Sequence, residues 1–187
     1  MSKATQITLT AAALMAAGCS YLGTARDFDP AEFSRDPRWL RAGDVPLILQ
    51  RSEKDCGAAA AAMVLAHWNR PVTVEEISER LAPGRGFTGA DLKKLFEERK
   101  LKAYALSGAT EHLIEQLSRG RPAIVGLIKP AITGAMTHFE VVVAFHPVDN
   151  RIVTLDPARG WRENDLEGFL NEWDLARRTM IVAYVVE

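Results

Sequence analysis

Residues 123–156 read AIVGLIKPAITGAMTHFEVVVAFHPVDNRIVTLD, and this stretch decides the fold class. It contains three apolar runs, at 123–128, 138–145 and 151–155, and the β-branched residues in them favour strands. The turn-rich residues 146–150 separate the last two runs, which predicts a β-hairpin with a longer loop. The second half of the chain therefore predicts an antiparallel sheet.

Helical patterns come before this stretch. Asp55 is a good N-cap for a helix over Cys56–Trp68 that is dense in alanine. Capping residues predict two more helices, one from Thr73 to about Leu81 and one that begins after Thr88. The remaining predicted elements are a helix at Glu111–Arg119, strands at Val45–Leu49 and Thr179–Val186, and a helix from Asn164 or Asp165 to about Trp173. Helices first and antiparallel strands afterwards indicate an α+β fold in two layers, with N-terminal helices packed on a C-terminal sheet.

The composition excludes several classes of protein. The chain has 187 residues, 48% of them hydrophobic, with 23 Lys and Arg against 24 Asp and Glu. This length suits one domain with a core of its own, and the even charge argues against a nucleic-acid binder. The apolar fraction is too high for a disordered chain, and no run of about 18 apolar residues offers a membrane span. The two cysteines are too few for a disulfide scaffold or a four-thiolate zinc site.

The N-terminus predicts export and a lipid anchor. Residues 1–18 carry Lys3 and then an apolar stretch without acidic residues, which is the layout of a secretory signal. The sequence Ala16-Ala17-Gly18-Cys19 resembles the lipobox of bacterial lipoproteins, in which the cysteine is acylated and becomes the mature N-terminus. The resemblance implies a signal peptide at 1–18, a lipidated Cys19 with a tether over 19–44, and a folded domain over 45–187. Ser20 then indicates the outer membrane, facing the periplasm. The alternative is a plain cleaved signal that leaves Cys19 an ordinary thiol.

The second cysteine, Cys56, is then the remaining thiol in an oxidising compartment, where proteins tend to pair or avoid thiols. It lies at a helix start, where free backbone N–H groups favour a thiolate, and Gly57 leaves space beside it. From position alone a nucleophile and a buried small hydrophobe remain equal alternatives. Asp55 would oppose ionisation of the thiol unless its carboxylate is used for capping.

A catalytic base has to come from four histidines. His67 lies about three turns along the helix from Cys56, which is too far. His112 lies at a polar helix start, which suits a solvated side chain, and His146 lies in the hairpin loop, which suits a turn residue. His138 begins a strand after the flexible segment 134–137, and catalytic groups are often found at such positions. The histidine and cysteine spacings give no metal site, and no cofactor is expected.

The hairpin suggests an acid to orient His138. If Phe145 pairs with Arg151, then Asp156 lies opposite Glu140, two residues from His138. These side chains share one face of the sheet, and the diagonal distance is roughly 7–8 Å between Cα atoms. A slip of one residue in the register would break this alignment.

Three blocks of the sequence resemble the bacteriocin-processing, double-glycine cysteine peptidases, which have a papain-like fold. The first is residues 50–59, with Gln50, five residues between it and Cys56, the sequence Asp-Cys-Gly and an alanine-rich helix. The second is Thr137-His138-Phe139 running into three valines, and the third is residues 152–160 around Asp156. They occur in the family's order, and together they are more specific than any one of them alone.

The resemblance implies a role for each matched residue. Cys56 would be the nucleophile, His138 the base and Asp156 the group that orients the imidazole. The Gln50 amide, with the backbone N–H of Cys56, would form the oxyanion hole.

The substrate and the partners follow less directly. The sequence contains no P-loop, so we expect a stand-alone, lipid-anchored relative of the exporter-fused peptidases, with no ATP and no nucleic acid as partner. The expected substrate is a secreted or envelope polypeptide, and neither the cleavage specificity nor the oligomeric state follows from the sequence. Two alternatives stay open: a papain-like amidase or acyl transferase acting on cell-wall peptide, and a peptide-binding module without turnover.

Overall fold

A computed structural model describes residues 24–80, 85–131 and 134–186, and these ranges contain eight strands and six helices. The strands are β1 Arg26–Asp27, β2 Leu40–Arg41, β3 Lys102–Ser107, β4 Ala123–Ala131, β5 Gly134–His146, β6 Arg151–Asp156, β7 Gly160–Asp165 and β8 Thr179–Tyr184. The helices are α1 Glu32–Arg35, α2 Cys56–His67, α3 Val74–Ser78, α4 Gly89–Glu98, α5 Thr110–Ser118 and α6 Leu166–Leu175.

All eight strands belong to one antiparallel sheet with the order β1-β7-β6-β5-β4-β8-β3, and β2 pairs with the end of β5 beyond β4. The predicted α+β class with an antiparallel sheet is confirmed. The long strand β5 is central, since it pairs with β4 over its first part and with β6 over its last part. A residue near the middle of β5 is therefore held from both sides.

The helices follow the capping signals in the sequence. Thr73 and Thr88 each form a capping box, with Glu76 and Asp91 as the reciprocal partners. Helix α2 packs on β5, and its five consecutive alanines at 58–62 are fully buried. Small side chains over a whole helix surface let its backbone lie close to the sheet and to α3 and α4. This close packing fixes the N-terminus of α2 relative to β5.

Several local predictions were wrong. Val45–Leu49 is not a strand, because Pro46 has no N–H for a strand ladder, and Leu49 lies 56% exposed. Residues 134–137 are not a flexible segment but the first part of β5, paired with β4. Strands β3 and β7 were not predicted, since neither alternates apolar and polar residues in its sequence.

The predicted tether requires correction from Thr24 onward. Residues 24–44 contain β1, α1 and β2, and three aromatic side chains of this segment, Phe28, Phe33 and Trp39, are buried against one another. Both phenylalanine rings also contact Trp161 of β7. Aromatic burial of this extent makes the segment part of the fold.

The predictions of a signal peptide at 1–18 and of an acylated Cys19 lie outside the described residues. Among the helices that the structure describes, none combines the length and the apolar character needed to cross a bilayer.

Candidate active site

Cys56 is the first residue of α2 and is buried. Its N-cap residue, Asp55, does not cap the helix through its side chain, contrary to the prediction. The Asp55 carboxylate instead accepts a hydrogen bond of 2.9 Å from the Ser78 hydroxyl, at the end of α3. The backbone N–H groups of the first turn of α2 therefore remain available to donate hydrogen bonds to the Cys56 sulfur and to a group bound beside it.

His138 lies on β5, where Leu127 of β4 pairs with it. Its Nε2 is 2.7 Å from Oδ1 of Asp156, at the end of β6, and both residues are buried. The same Asp156 oxygen accepts a hydrogen bond of 2.7 Å from the backbone N–H of Ala158, which fixes the carboxylate. Because Asp156 holds Nε2, the other ring nitrogen, Nδ1, is left for Cys56.

The pKa values of Cys56 and His138 are shifted in opposite directions. Burial raises the pKa of the Cys56 thiol, but the hydrogen bond and charge of His138, with the backbone N–H groups of Phe139 and Gly57, bring the pKa below its ordinary 9.0. Burial lowers the pKa of His138, whereas hydrogen bonds to Asp156 and Cys56 raise it to about 10. The two shifts favour a thiolate at Cys56 beside an imidazolium at His138.

A β-bulge brings Asp156 to His138. At the turn, Phe145 pairs with Ile152, so the predicted pairing of Phe145 with Arg151 was wrong by one residue. The register shifts between Val142 and Ala144, and beyond the shift Val141 pairs with Leu155, as the predicted register requires. The extra residue in β5 thus returns Asp156 to the same face as His138.

Gln50 and the residues around it form the wall of a cleft in front of His138. The backbone N–H of Gln50 donates a hydrogen bond of 2.9 Å to the carbonyl of Pro157, which joins the segment before α2 to the turn after β6. The side-chain Oε1 of Gln50 is buried and has no hydrogen-bond partner among the described residues. The cleft has a volume of about 540 Å³ and is lined by Leu49, Gln50, Arg51, Ser52, Glu53, Met136, His138, Asp156, Pro157, Ala158 and Arg159.

The other three histidines lie away from this cleft. His67 contacts the carbonyl groups of Asp44 and Gly120, and His112 accepts a hydrogen bond from the backbone N–H of Ala109 at the start of α5. His146 is the last residue of β5 and not a turn residue as predicted, and its side chain is buried, with Asp36 3.2 Å from its Nε2.

Sequence reasoning missed a group of buried charges behind His138. Lys129 of β4, Glu140 of β5 and Glu172 of α6 are each at most 5% exposed. The signal was a lysine and a glutamate inside otherwise apolar strands, since charged side chains are rarely buried unless they are paired.

The donor atoms of His138, Glu140 and Asp156 lie within 4.8 Å of one another, a spacing that a metal ion would accept. Both oxygens of Glu140 are already engaged, by Thr154 and Lys129, and Oδ1 of Asp156 is engaged by His138 and Ala158, whereas its Oδ2 has no hydrogen-bond partner among the described residues. The Lys129 ammonium supplies the positive charge here, so we assign no metal to these residues.

The arrangement agrees with comparisons to known proteins. The sequence profile of the Peptidase C39 family matches residues 44–183. The chain is 29% identical over 128 residues to the lactococcin-G-processing and transport ATP-binding protein LagD of Lactococcus lactis subsp. lactis. That match covers 68% of this chain and 17% of the relative, so the chain spans about a sixth of that relative's length.

Two solved structures share the fold. A double glycine motif protease from an AMS/PCAT transporter, in complex with its leader peptide, superposes with a TM-score of 0.63 at 24% identity, covering 78% of this chain and 94% of that one. The peptidase domain of Streptococcus ComA, a bifunctional ABC transporter, gives a TM-score of 0.62 at 20% identity, with 76% and 100% covered. Since the family profile matches well over half of its length, the chain belongs to the Peptidase C39 family, a family of cysteine peptidases.

Proposed function

We propose that the protein hydrolyses a peptide bond in a secreted or envelope polypeptide, with Cys56 as nucleophile, His138 as base, Asp156 as the orienting acid and Gln50 in the oxyanion hole. The observation that carries the proposal is the line of hydrogen bonds from Cys56 through His138 to Asp156. This line supports the thiolate–imidazolium pair that a cysteine peptidase requires before substrate binds.

In the first half of the reaction, the Cys56 thiolate attacks the carbonyl carbon of the scissile bond and a carbon–sulfur bond forms. The carbonyl oxygen becomes an oxyanion, which the Gln50 amide and the backbone N–H of Cys56 stabilise. The tetrahedral intermediate collapses as His138 donates its Nδ1 proton to the leaving amine, and the carbon–nitrogen bond breaks. The product is a thioester on Cys56, and His138 is left neutral.

In the second half, a water molecule attacks the thioester while neutral His138 takes its proton. The carbon–sulfur bond breaks, the carboxylic product leaves, and the thiolate–imidazolium pair is restored. Asp156 keeps Nε2 protonated and hydrogen-bonded throughout, so Nδ1 is the nitrogen that exchanges protons in both halves.

The cleft favours an extended polypeptide as substrate. Its two walls, residues 49–53 and 156–159, offer apolar side chains such as Leu49 and Pro157 as well as charged ones. Extended peptides suit a groove of this kind, since backbone contacts supply affinity and side-chain contacts supply specificity. One solved relative was determined in complex with a leader peptide, which supports a polypeptide substrate for this chain too.

We further propose that Cys19 is acylated and holds the enzyme at the bacterial outer membrane, facing the periplasm. The described fold begins at Thr24, five residues beyond Cys19. Five residues reach at most roughly 17 Å, so an acylated Cys19 would keep the enzyme close to the bilayer surface. Substrates of such an enzyme would be polypeptides that pass along or assemble at that membrane.

Two experiments test the activity. Envelope fractions from cells with wild-type protein and with Cys56→Ala are compared by labelling of new protein N-termini, and a synthetic double-glycine leader peptide is offered to the purified full chain. We expect N-termini that need both Cys56 and His138, with exposed His112→Ala as the matched control that leaves them unchanged. Cleavage of cell-wall peptide instead would support the amidase alternative. A Cys56 that reacts with iodoacetamide like an ordinary thiol would overturn both enzymatic readings.

The anchor is tested separately. Cells are grown with a clickable fatty acid, and the wild-type protein is compared with Cys19→Ser for label and for its position in a membrane density gradient. We expect label only with Cys19 and wild-type protein in the outer-membrane fraction. An unlabelled wild-type protein would refute the lipid anchor without touching the proposed chemistry.

A further inference from the structure

Three charged side chains lie buried behind the His138–Asp156 pair. Lys129, Glu140 and Glu172 come from β4, β5 and α6 and converge at one point. The Lys129 ammonium is 2.8 Å from a Glu140 oxygen and 2.5 Å from a Glu172 oxygen. Burying such groups is unfavourable, and apolar side chains of similar volume often stabilise a core equally well. Stability therefore gives no reason for this cluster.

The Glu140 carboxylate is fixed through both of its oxygens. One oxygen contacts Lys129, and the other accepts a hydrogen bond of 2.6 Å from the Thr154 hydroxyl on β6. Glu140 follows His138 by two residues on β5, so the two side chains share a face of the sheet. The carboxylate has a single defined position beside the imidazole.

That position lies within reach of the imidazole charge. The donor atoms of His138, Glu140 and Asp156 are all within 4.8 Å of one another, so two buried carboxylates flank one ring. The other titratable groups that face His138 are Cys56 from α2 and, beyond Glu140, Lys129 from β4 with Glu172 from α6. Burial lowers the pKa of His138, and the charge of Glu140 is among the influences that raise it, after the hydrogen bonds to Asp156 and Cys56. Burial raises the pKa of Asp156, and Lys129 lowers it in addition to His138 and the backbone N–H of Ala158.

We propose that Glu140, held in place by Lys129 and Thr154, is a positioning residue that stabilises the His138 imidazolium as a second carboxylate beside Asp156. Lys129 compensates the burial of the Glu140 carboxylate, since a charged group in the protein interior is unfavourable unless it is paired. The cluster therefore extends to higher pH the range in which the imidazolium can protonate a leaving amine. This inference rests on the proposed role of His138 as the general acid and base.

The test measures the protonation of His138 directly, without a substrate. Full-length protein with ¹⁵N-labelled histidine is titrated by NMR, and the His138 signals are assigned with His138→Asn. Glu140→Gln keeps the size and the Thr154 hydrogen bond, and it leaves Lys129 paired with Glu172. We expect its imidazolium midpoint to fall by about one to two units from the wild-type value, because an opposite charge at this distance shifts a pKa by that amount.

Two further variants keep the test decisive. Glu172→Gln alters the same cluster but leaves the carboxylate beside His138, so it is the matched control and should keep the wild-type midpoint. If Glu140→Gln does not fold, Glu140→Gln combined with Lys129→Met removes both charges of the ion pair and should show the same fall. A merely structural role would change the melting temperature and leave the midpoint where it is.

The outcomes separate the two proposals. A wild-type His138 that titrates near its ordinary value would overturn the proposed ion pair with Cys56, and with it the proposed function. A raised wild-type midpoint that Glu140→Gln leaves unchanged would overturn only the role of Glu140.

Discussion

Replacing Asp156 by asparagine removes one charge and keeps the size of the side chain. The carboxylate oxygen is 2.7 Å from His138 Nε2, and both side chains are almost completely buried. Opposite charges with centres about 4 Å apart interact by about 4 kcal/mol at an effective dielectric constant near 20. That energy corresponds to roughly three pKa units. The pKa of His138, raised to about 10 in the native protein, should therefore fall to about 7 in Asp156→Asn.

The shift has a definite kinetic consequence. A group with a raised pKa stays protonated up to that pKa, so the native imidazolium is available as an acid until the pH approaches about 10. In Asp156→Asn the acid is lost above about pH 7, and the asparagine amide also permits the wrong imidazole tautomer. We expect kcat/KM to fall by about 10³-fold and its alkaline limb to move down by roughly three units.

The assay is kcat/KM on a cleaved polypeptide across about pH 5 to 10, with the histidine titration measured in parallel. Asp149→Asn is the matched control, because Asp149 contacts the buried His146 at 3.2 Å and lies outside the cleft. A variant Asp156→Asn with kcat/KM within tenfold of the native protein, or with an unmoved alkaline limb, would refute the reasoning.

Three further predictions concern Cys56, its neighbour and the N-terminal segment. The rate at which iodoacetamide alkylates Cys56 should rise with pH around a midpoint below 9.0. In His138→Asn that midpoint should move to higher pH, because burial is the largest influence on the thiol and raises its pKa. An unmoved midpoint would contradict the ion pair. Gly57→Ala places a Cβ 2.7 Å from the Phe87 Cβ, so it should lower the free energy of unfolding in urea by about 1–3 kcal/mol; an unchanged free energy would mean that the backbone around Phe87 moves aside without cost. Trp39→Ala should lower the same free energy by about 3–5 kcal/mol, whereas a loss below about 1 kcal/mol would mean that residues 24–44 are dispensable.

The helices could be predicted from the sequence because their signals are local. A capping threonine and its acidic partner are three residues apart, as at Thr73 and Thr88, and the hydrogen bonds that they make lie within the same turn. The strands predicted at 123–128 and 151–155 were similarly evident, since both of their faces are largely buried and their apolar runs are nearly continuous.

Strand β7 could not be predicted, because its burial depends on residues far away in the chain. Its sequence reads GWREND, yet Arg162 and Glu163 are largely buried by ion pairs with Asp27 and Arg26 of β1. A run of charged residues is typical of a solvated loop unless its partners are known. Those partners lie about 135 residues earlier in the sequence.

The candidate site was more predictable than the fold around it. The proximity of His138 and Asp156 followed from the alternation of side chains in a hairpin, although the register assumed at the turn was wrong by one residue. The bulge shifts the register by one residue, so that Asp156 still lies on the same face as His138. No sequence signal marks a bulge among three consecutive valines. The charges at Lys129 and Glu140 were visible but were not interpreted, because a pairing between strands has to be known before opposite charges can be matched.

The β-bulge is also supported by residues that lie outside the range matched by the family profile. The bulge residue, Val143, accepts a hydrogen bond of 2.9 Å through its carbonyl from the backbone N–H of Ala42, and β2 then pairs with the next two residues of β5. The profile match begins only at residue 44. A fragment cut at that boundary would keep every residue proposed for the chemistry and lose the backbone that supports their alignment. In this chain, a segment outside the residues that the profile matches supports the strand geometry that brings His138 and Asp156 together.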